Sequence, residues 1–287
     1  MSVEAVDLSV VIPCYNDGRF LMDAVESVES NRRGRHELII VNDGSSDRTT
    51  LDVLSAVEST GCRVIHQENR GLAGARNRGI LEARGRYVLP LDADNRIRPA
   101  YIDEGISTLD ADSGLDVVYG DAELFGDKTG RRRTDDFRLP RLLGWNYIDA
   151  CAVFRKAAWE RCGGYDEGMP IQGFEDWDLW CRIACTGGRF RHLDEVLYDY
   201  RVRGDSMSRE MMAPEKISKL MSYMRSKKIE LALGDYMDAY VSWDPLLERF
   251  RRRPVRTLMR LLVAAWAPHW NERLKLPFYG KSTFTSK

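Results

Sequence analysis

Apolar residues fall in short blocks separated by polar turns, and over the first hundred residues the blocks alternate between two kinds. Leu8-Ser9-Val10-Val11-Ile12 is a β-rich run that stops at Pro13, and Leu38-Ile39-Ile40-Val41 is a second continuous run. Between them Leu21, Val25 and Val28 recur at helical spacing. The cluster Asn42-Asp43-Gly44-Ser45-Ser46-Asp47 reads as a turn that also supplies an N-cap. The helix after it carries Leu51, Leu54 and Val57 on one face. Val64-Ile65 is a short strand, residues 71–83 form a helix opening on small residues, and residues 87–91 form a buried strand that runs into Asp92-Ala93-Asp94. Strands alternating with helices imply parallel βαβ units with right-handed crossovers. Continuous apolar runs fit a sheet covered on both faces.

Beyond Pro99 the texture changes. Residues 116–119 predict a strand ending at Gly120-Asp121, and the charged segment 128–136 reads as an exposed, mobile loop. Residues 146–154 predict a strand, a short helix starts at Lys156, residues 163–166 make a turn, and residues 176–185 have helical spacing. A closing strand is expected over 196–201. From Pro214 strand signals vanish. Ile217, Leu220, Met221 and Met224 mark one amphipathic helix, and Val255, Leu258, Met259, Leu262 and Trp266 mark another. The expected architecture is α/β, a doubly wound, mostly parallel sheet with a C-terminal α-helical appendage. A nucleotide-binding half spans residues 1–98, an acceptor half 99–208 and the appendage 209–287.

Bulk properties narrow the function. With 44% hydrophobic and 30% charged residues the chain reads as an ordinary globular protein, and a net charge of −1 argues against nucleic acid as a partner. Six cysteines make no Cys-x-x-Cys pair, so reduced thiols in a cytoplasmic enzyme are expected rather than zinc. The apolar run near the start is too short for a signal peptide, and no stretch reaches the roughly 18 apolar residues of a spanning helix.

Polar clusters at residues 13–17, 42–47, 92–94 and 121 fall where predicted strands end, so they are expected to converge on one crevice. Asp43, Asp92 and Asp94 would then share a small volume, a cost that a magnesium or manganese ion with a bound diphosphate relieves. Asp43 itself would accept hydrogen bonds from a nucleobase or ribose. Arg70 and Arg76 read either as phosphate contacts or as solvated side chains. Asp176, at the start of the helix over 176–185, also suits a helix N-terminus whatever its chemistry. Trp177 and Trp180 line an acceptor groove or pack in the core.

In this order and spacing, these segments resemble the family 2 glycosyltransferases of the GT-A fold. The resemblance covers residues 8 to about 208. Its carriers include Val10-Val11-Ile12-Pro13-Cys14-Tyr15-Asn16, Val41-Asn42-Asp43-Gly44-Ser45, Gly74-Ala75-Arg76-Asn77, Leu91-Asp92-Ala93-Asp94, Gly163-Gly164-Tyr165-Asp166, Phe174-Glu175-Asp176-Trp177 and Tyr200-Arg201-Val202-Arg203. It implies a donor sugar nucleotide, expected to be UDP-linked, bound by Pro13, Tyr15, Asp17 and Asp43, with Arg76 and Ala93 beside it. It also implies a divalent cation (Mn2+ or Mg2+) and diphosphate at Asp92 and Asp94, Asp94 being the direct ligand. Asp176 would be the general base of an inverting transfer, ionised near its normal pKa, with Glu175 and Trp177 on the acceptor side. The acceptor would be a glycan or lipid-linked glycan of cell-surface polysaccharide synthesis.

Two departures matter. Related sequences often read Tyr-Arg-x-His where this chain has Arg203, which is no metal ligand but can pair with phosphate oxygens. The Gln-x-x-Arg-Trp motif and spanning helices of processive members are missing, so the transfer is read as adding one sugar. Rival readings are a sugar-nucleotide nucleotidylyltransferase, which would want a Gly-rich basic loop in place of residues 13–17, and a non-catalytic glycan-binding scaffold. The basic tail at Arg249, Arg251, Arg252, Arg253, Arg256 and Arg260 has three readings. It is an interfacial helix on the inner membrane face, a cover for the catalytic domain, or a homodimer contact.

Overall fold

The computed structural model describes residues 6–31, 35–204 and 213–226. Four strands, β1 (Leu8–Cys14), β2 (His36–Asp43), β3 (Arg63–Gln67) and β4 (Tyr87–Pro90), are joined by helices α1 (Gly18–Glu29), α2 (Arg48–Ser59) and α3 (Gly71–Glu82). They pair in parallel in the order β3-β2-β1-β4. The second half adds β5 (Arg96–Ile97), α4 (Tyr101–Ala111), β6 (Leu115–Gly126), β7 (Gly130–Arg132), α5 (Leu139–Gly144), β8 (Val153–Arg155), α6 (Lys156–Arg161), α7 (Glu175–Cys185) and β9 (Arg189–Val202). A last described helix, α8, spans Pro214–Ser226.

All the strands join one sheet, ordered β3-β2-β1-β4-β8-β6-β9-β5, with β7 paired to β6. It is mixed: β8, β5 and β7 run antiparallel to their neighbours. The period-2 alternation of strand side chains sorts the core into two layers. Leu8, Val10, Ile12, Leu38 and Ile40 pack under α1, α2 and α4. Val11, Ile39, Val41 and Val88 pack under α3, α6, α7 and α8. The chain therefore winds outward from β1 on one face and returns through α3 on the other. That makes the carboxyl ends of β1 and β4 the switch point, where open α/β sheets bind ligands.

Several local expectations are corrected. β1 continues through Pro13, which pairs with Val41, so Pro13 is a buried strand residue. On α2 the buried face runs through Thr50, Leu54 and Val57, and Leu51 points outward. Thr50 wins because its hydroxyl accepts from the Gly18 N–H at 2.8 Å and bonds the capping Asp47, so the helix is turned by its cap. β6 runs on past Gly120-Asp121 to Gly126. Asp121 is therefore buried in mid-strand, bonded to Arg131, Thr134 and His192, away from the switch point. Within the largely exposed segment 128–136, Gly130–Arg132 forms β7 and pairs with β6. Only Val153–Arg155 of the expected strand over 146–154 is extended. α8 buries Leu220 and Met224 in the α7 layer. The expected helix over 255–266, the basic tail and residues 205–208 lie outside the described residues.

Candidate active site

The loop after β1 is tied to the loop after β2. Asn16 takes a left-handed conformation (φ 52°), and its Oδ1 accepts from the Ser46 and Asp47 N–H groups at 2.8 and 3.0 Å. Tyr15 beside it is 52% exposed, a free aromatic face at the rim. Asp43, at the end of β2, is buried, and its Oδ1 accepts from Gln67 Nε2 at 2.6 Å and Arg70 N at 2.8 Å. The strand order puts β1 between β2 and β4, so Asp43 sits about 10 Å from the Asp92 pair by strand spacing. The third acid at the pair is Asp17, whose charge acts on Asp94 together with that of Asp92.

Asp92 and Asp94 point into different neighbourhoods, with Ala93 buried between them. Asp92 Oδ1 accepts from Arg76 Nη2 at 2.7 Å, and Arg76 Nη1 donates to Glu175 Oε1 at 2.5 Å. Arg76 is 2% exposed and lies on α3, so it is not solvated; it bridges two acids, Asp92 and Glu175. Asp94 faces Arg203, whose Nε lies 3.1 Å from Oδ2. The same guanidinium grips Asp17 with both Nη atoms, at 2.8 and 3.0 Å. Burial, then the Asp92 charge, pushes the Asp94 carboxyl up to about 7 against the pull of Arg203.

Glu175 and Asp176 open α7 after a loop that α3 holds in place. Asn77 Nδ2 donates to Tyr165 O and Glu167, and Arg70 pairs with Glu167 at 2.7 Å. Glu175 Oε2 accepts from Gly173 N at 2.6 Å, which completes its partners, so Glu175 is buried structure rather than an acceptor-facing group. Asp176 Oδ1 accepts from Trp177 N at 2.7 Å and Oδ2 from Asn146 Nδ2 at 3.0 Å. Its carboxyl is not near the ordinary range. Burial first, then the Glu175 charge, raises it to about 8, with Arg76 opposing. Trp177 is core: its indole N–H donates to Leu142 O at 2.6 Å and its ring packs on Trp145 and Phe174. Trp180 is likewise fully buried.

Sequence reasoning missed a second bridging arginine, Arg132, which is half-buried. Arg132 Nη2 bonds both Asp149 and the Tyr198 hydroxyl at 2.5 Å, and the guanidinium lies 4.3 Å over the Tyr200 ring. Asp149 raises the Asp176 carboxyl, and Tyr200 feels Asp149, Asp92 and Asp94 together, so this pair borders the site. The available signal was the strand period within Arg131-Arg132-Arg133, which sends Arg131 to Asp121 and Arg132 to the opposite face. Asn146 carried no sequence signal.

The family model of glycosyl transferase family 2 matches residues 9–163, more than half of the chain. The chain belongs to glycosyl transferase family 2. An uncharacterized glycosyltransferase of Escherichia coli, YibD, is 37% identical over 222 residues, covering 70% of this chain and 63% of that protein. The chain spans from 22 to 89% of the length of curated relatives it matches. Among solved structures, Staphylococcus aureus TarS with UDP-GlcNAc superposes with a TM-score of 0.66 at 18% identity, covering 86% of this chain and 76% of that one. The mannosyltransferase PcManGT of Pyrobaculum calidifontis, with GDP-Man and Mn2+, gives 0.56 at 16%, covering 95% and 84%. Both likenesses support the GT-A fold.

Within this family 2 domain the residues for a divalent cation are two carboxylates. No group of three or more His, Cys, Asp or Glu side chains converges on an ion site among the described residues. Two carboxylates suit a magnesium-like ion that takes its other ligands from phosphates and water. Burial and the Asp92 charge raise the Asp94 carboxyl, and such an ion would favour its ionised form. The donor set fits a cation that arrives with a diphosphate.

Proposed function

We propose that this family 2 domain is an inverting, non-processive glycosyltransferase. It moves one sugar from a UDP-sugar to a hydroxyl of a glycan or lipid-linked glycan, with a divalent cation at Asp94 and Asp92. The observation that carries the reading is Asp176: a buried carboxyl at a helix start, held near the pKa that suits a general base, and coupled through Glu175 and Arg76 to Asp92. The UDP assignment is supported by the TarS complex. Tyr15 stacks on the base, Asp43 accepts from it, and Pro13 and Asp17 frame the ribose side. When bound, the cation neutralises charge on the departing diphosphate.

The chemistry is one displacement. The acceptor oxygen bonds to the sugar C1 as the C1–phosphate oxygen bond breaks, and the acceptor proton passes to Asp176. Asn146 and the Trp177 N–H fix that carboxyl so that an oxygen faces the acceptor. The split at residue 208 is part of this reading, as is a reducing compartment, since all six cysteines are free thiols. Among the described residues no helix is long and apolar enough to cross a membrane, so any membrane contact falls to the basic tail. Flotation with anionic vesicles tests that contact, and no binding sinks it. The central test is a screen of UDP- and GDP-sugars for Mn2+-dependent turnover, with the product anomer read by NMR. A UDP-sugar giving inverted product is expected; a retained configuration overturns the single-base mechanism.

A further inference from the structure

Arg203 stands just past the end of β9 and spans two acids. It holds Asp17 with both Nη atoms and lies 3.1 Å from Asp94 Oδ2 through Nε. Arg201, two residues earlier, donates to the Asp94 backbone oxygen at 3.0 Å and to Asp23 at 2.6 Å. Both guanidinium groups lie over the Phe20 ring, at 4.2 and 5.0 Å. The carboxylate that would hold the cation thus already has a fixed positive partner, and that partner cannot lose its proton. Asp92 offers no uncompensated charge either, because its Oδ1 is held by Arg76, which is buried and also bound to Glu175.

We infer that Arg203 is a resident counter-ion that makes cation capture at Asp94 conditional on the diphosphate. This rests on the cation reading above and goes beyond it. A cation arriving alone must take Asp94 from the guanidinium and leave two positive charges side by side. Because Asp17 anchors both Nη atoms, Arg203 pivots rather than departs. A diphosphate arriving with the cation supplies the displaced guanidinium with oxygens it can grip in the same bidentate manner. Cation and nucleotide then each strengthen the other's binding by the same factor. An imidazole at this position would carry no obligatory charge and would leave Asp94 open to a cation alone.

The experiment is calorimetric titration of Mn2+ into the wild-type chain, R203Q and R203H, without nucleotide and with saturating UDP, each variant first checked by thermal melting. Wild type should bind Mn2+ at least about tenfold more tightly with UDP than without, as for close charge pairs. R203Q and R203H should bind Mn2+ alone about tenfold more tightly than wild type, with the UDP-linked gain falling toward one. R203H, which keeps a polar ring of similar reach, stands in if R203Q does not fold. Unchanged Mn2+ affinity in both variants, with normal uptake by wild type in UDP, overturns the exchange alone. No Mn2+ uptake by wild type in UDP overturns the cation reading, and this inference with it.

Discussion

Glu175→Gln is expected to raise activity at low pH, although it removes an acid from the centre of the site. Asp176 is held at about 8 by burial and, next in size, by the Glu175 charge. The amide keeps one oxygen for Arg76 or Gly173 N and loses the charge of a buried pair, a cost of about 3–5 kcal/mol, partly offset because Arg76 keeps Asp92, so each variant is first checked by thermal melting. With the neighbouring anion gone, Asp176 ionises at lower pH. The limb of kcat/KM should move down by about one pH unit, a roughly tenfold gain in ionised base below the limb. Arg76→Met should move it the other way, because that guanidinium favours the ionised form. The assay is acceptor kcat/KM from pH 5 to 9.5, which reports the free enzyme. A flat wild-type profile, or a limb moving the same way in both variants, refutes the assignment of Asp176 and its electrostatics.

Asp176→Asn should cut turnover by about 10²–10⁴-fold, the range for a lost general base, while UDP affinity measured by calorimetry holds. The same variant should melt higher than wild type at pH 8.5 and gain nothing near pH 4. A carboxyl whose folded pKa is raised contributes stability below its unfolded value, near 3.9, that is lost as pH rises through about 8. Asp92→Asn should leave Arg76 acting on Glu175 and Asp176 alone, so the acceptor limb moves down although the change is on the donor side; an unmoved limb would show the two acids to be uncoupled. Arg132→Met should leave Asp149 without its counter-charge beside Asp176, costing about 1.5–3 kcal/mol for the lost charge-assisted bond of a half-buried pair, read as a lowered Tm. Gly79→Ala should lower Tm as well, since its Cβ would meet Val11 Cγ1 at 2.3 Å, an overpacking worth about 1–3 kcal/mol.

What was legible in the residues follows from which forces are local. β1 through β4 and the helices between them were readable because each is a self-contained pattern: an apolar run, a cap, a 3.6-residue stripe. The reading failed where a distant partner decides. Thr50 displaces Leu51 from the buried face because Gly18 and Asp47 claim its hydroxyl. Asp121 looks like a strand-ending turn acid, yet Arg131, Thr134 and His192 satisfy it inside β6. The segment 146–154 is β-rich in composition, but only its last residues reach a neighbouring strand. The residues proposed to act directly, Asp92, Asp94 and Asp176, were picked by motif. Those that position them, Arg76 as a bridge, Asn146, Arg132 and Asp149, were not, because burial of an arginine depends on acids that lie far away in the chain.

The Asp-x-Asp spacing turns out to matter for what it separates. The pair lies past the end of β4, where the chain turns at residues 93–94 over the small buried Ala93, and the two carboxylates enter different ion chains. Asp94 joins Asp17 through Arg203, and Asp92 joins Glu175 through Arg76. Each chain alternates acid, arginine, acid. The two differ in stiffness. Arg76 is buried on α3 and bonded on both sides, which suits it to hold the base helix in register with the donor strand. Arg203 is 20% exposed at a strand end, which suits it to move. One dipeptide spacing thereby joins a rigid link toward proton transfer to an adjustable one toward the leaving group, the two places where charge develops in the reaction.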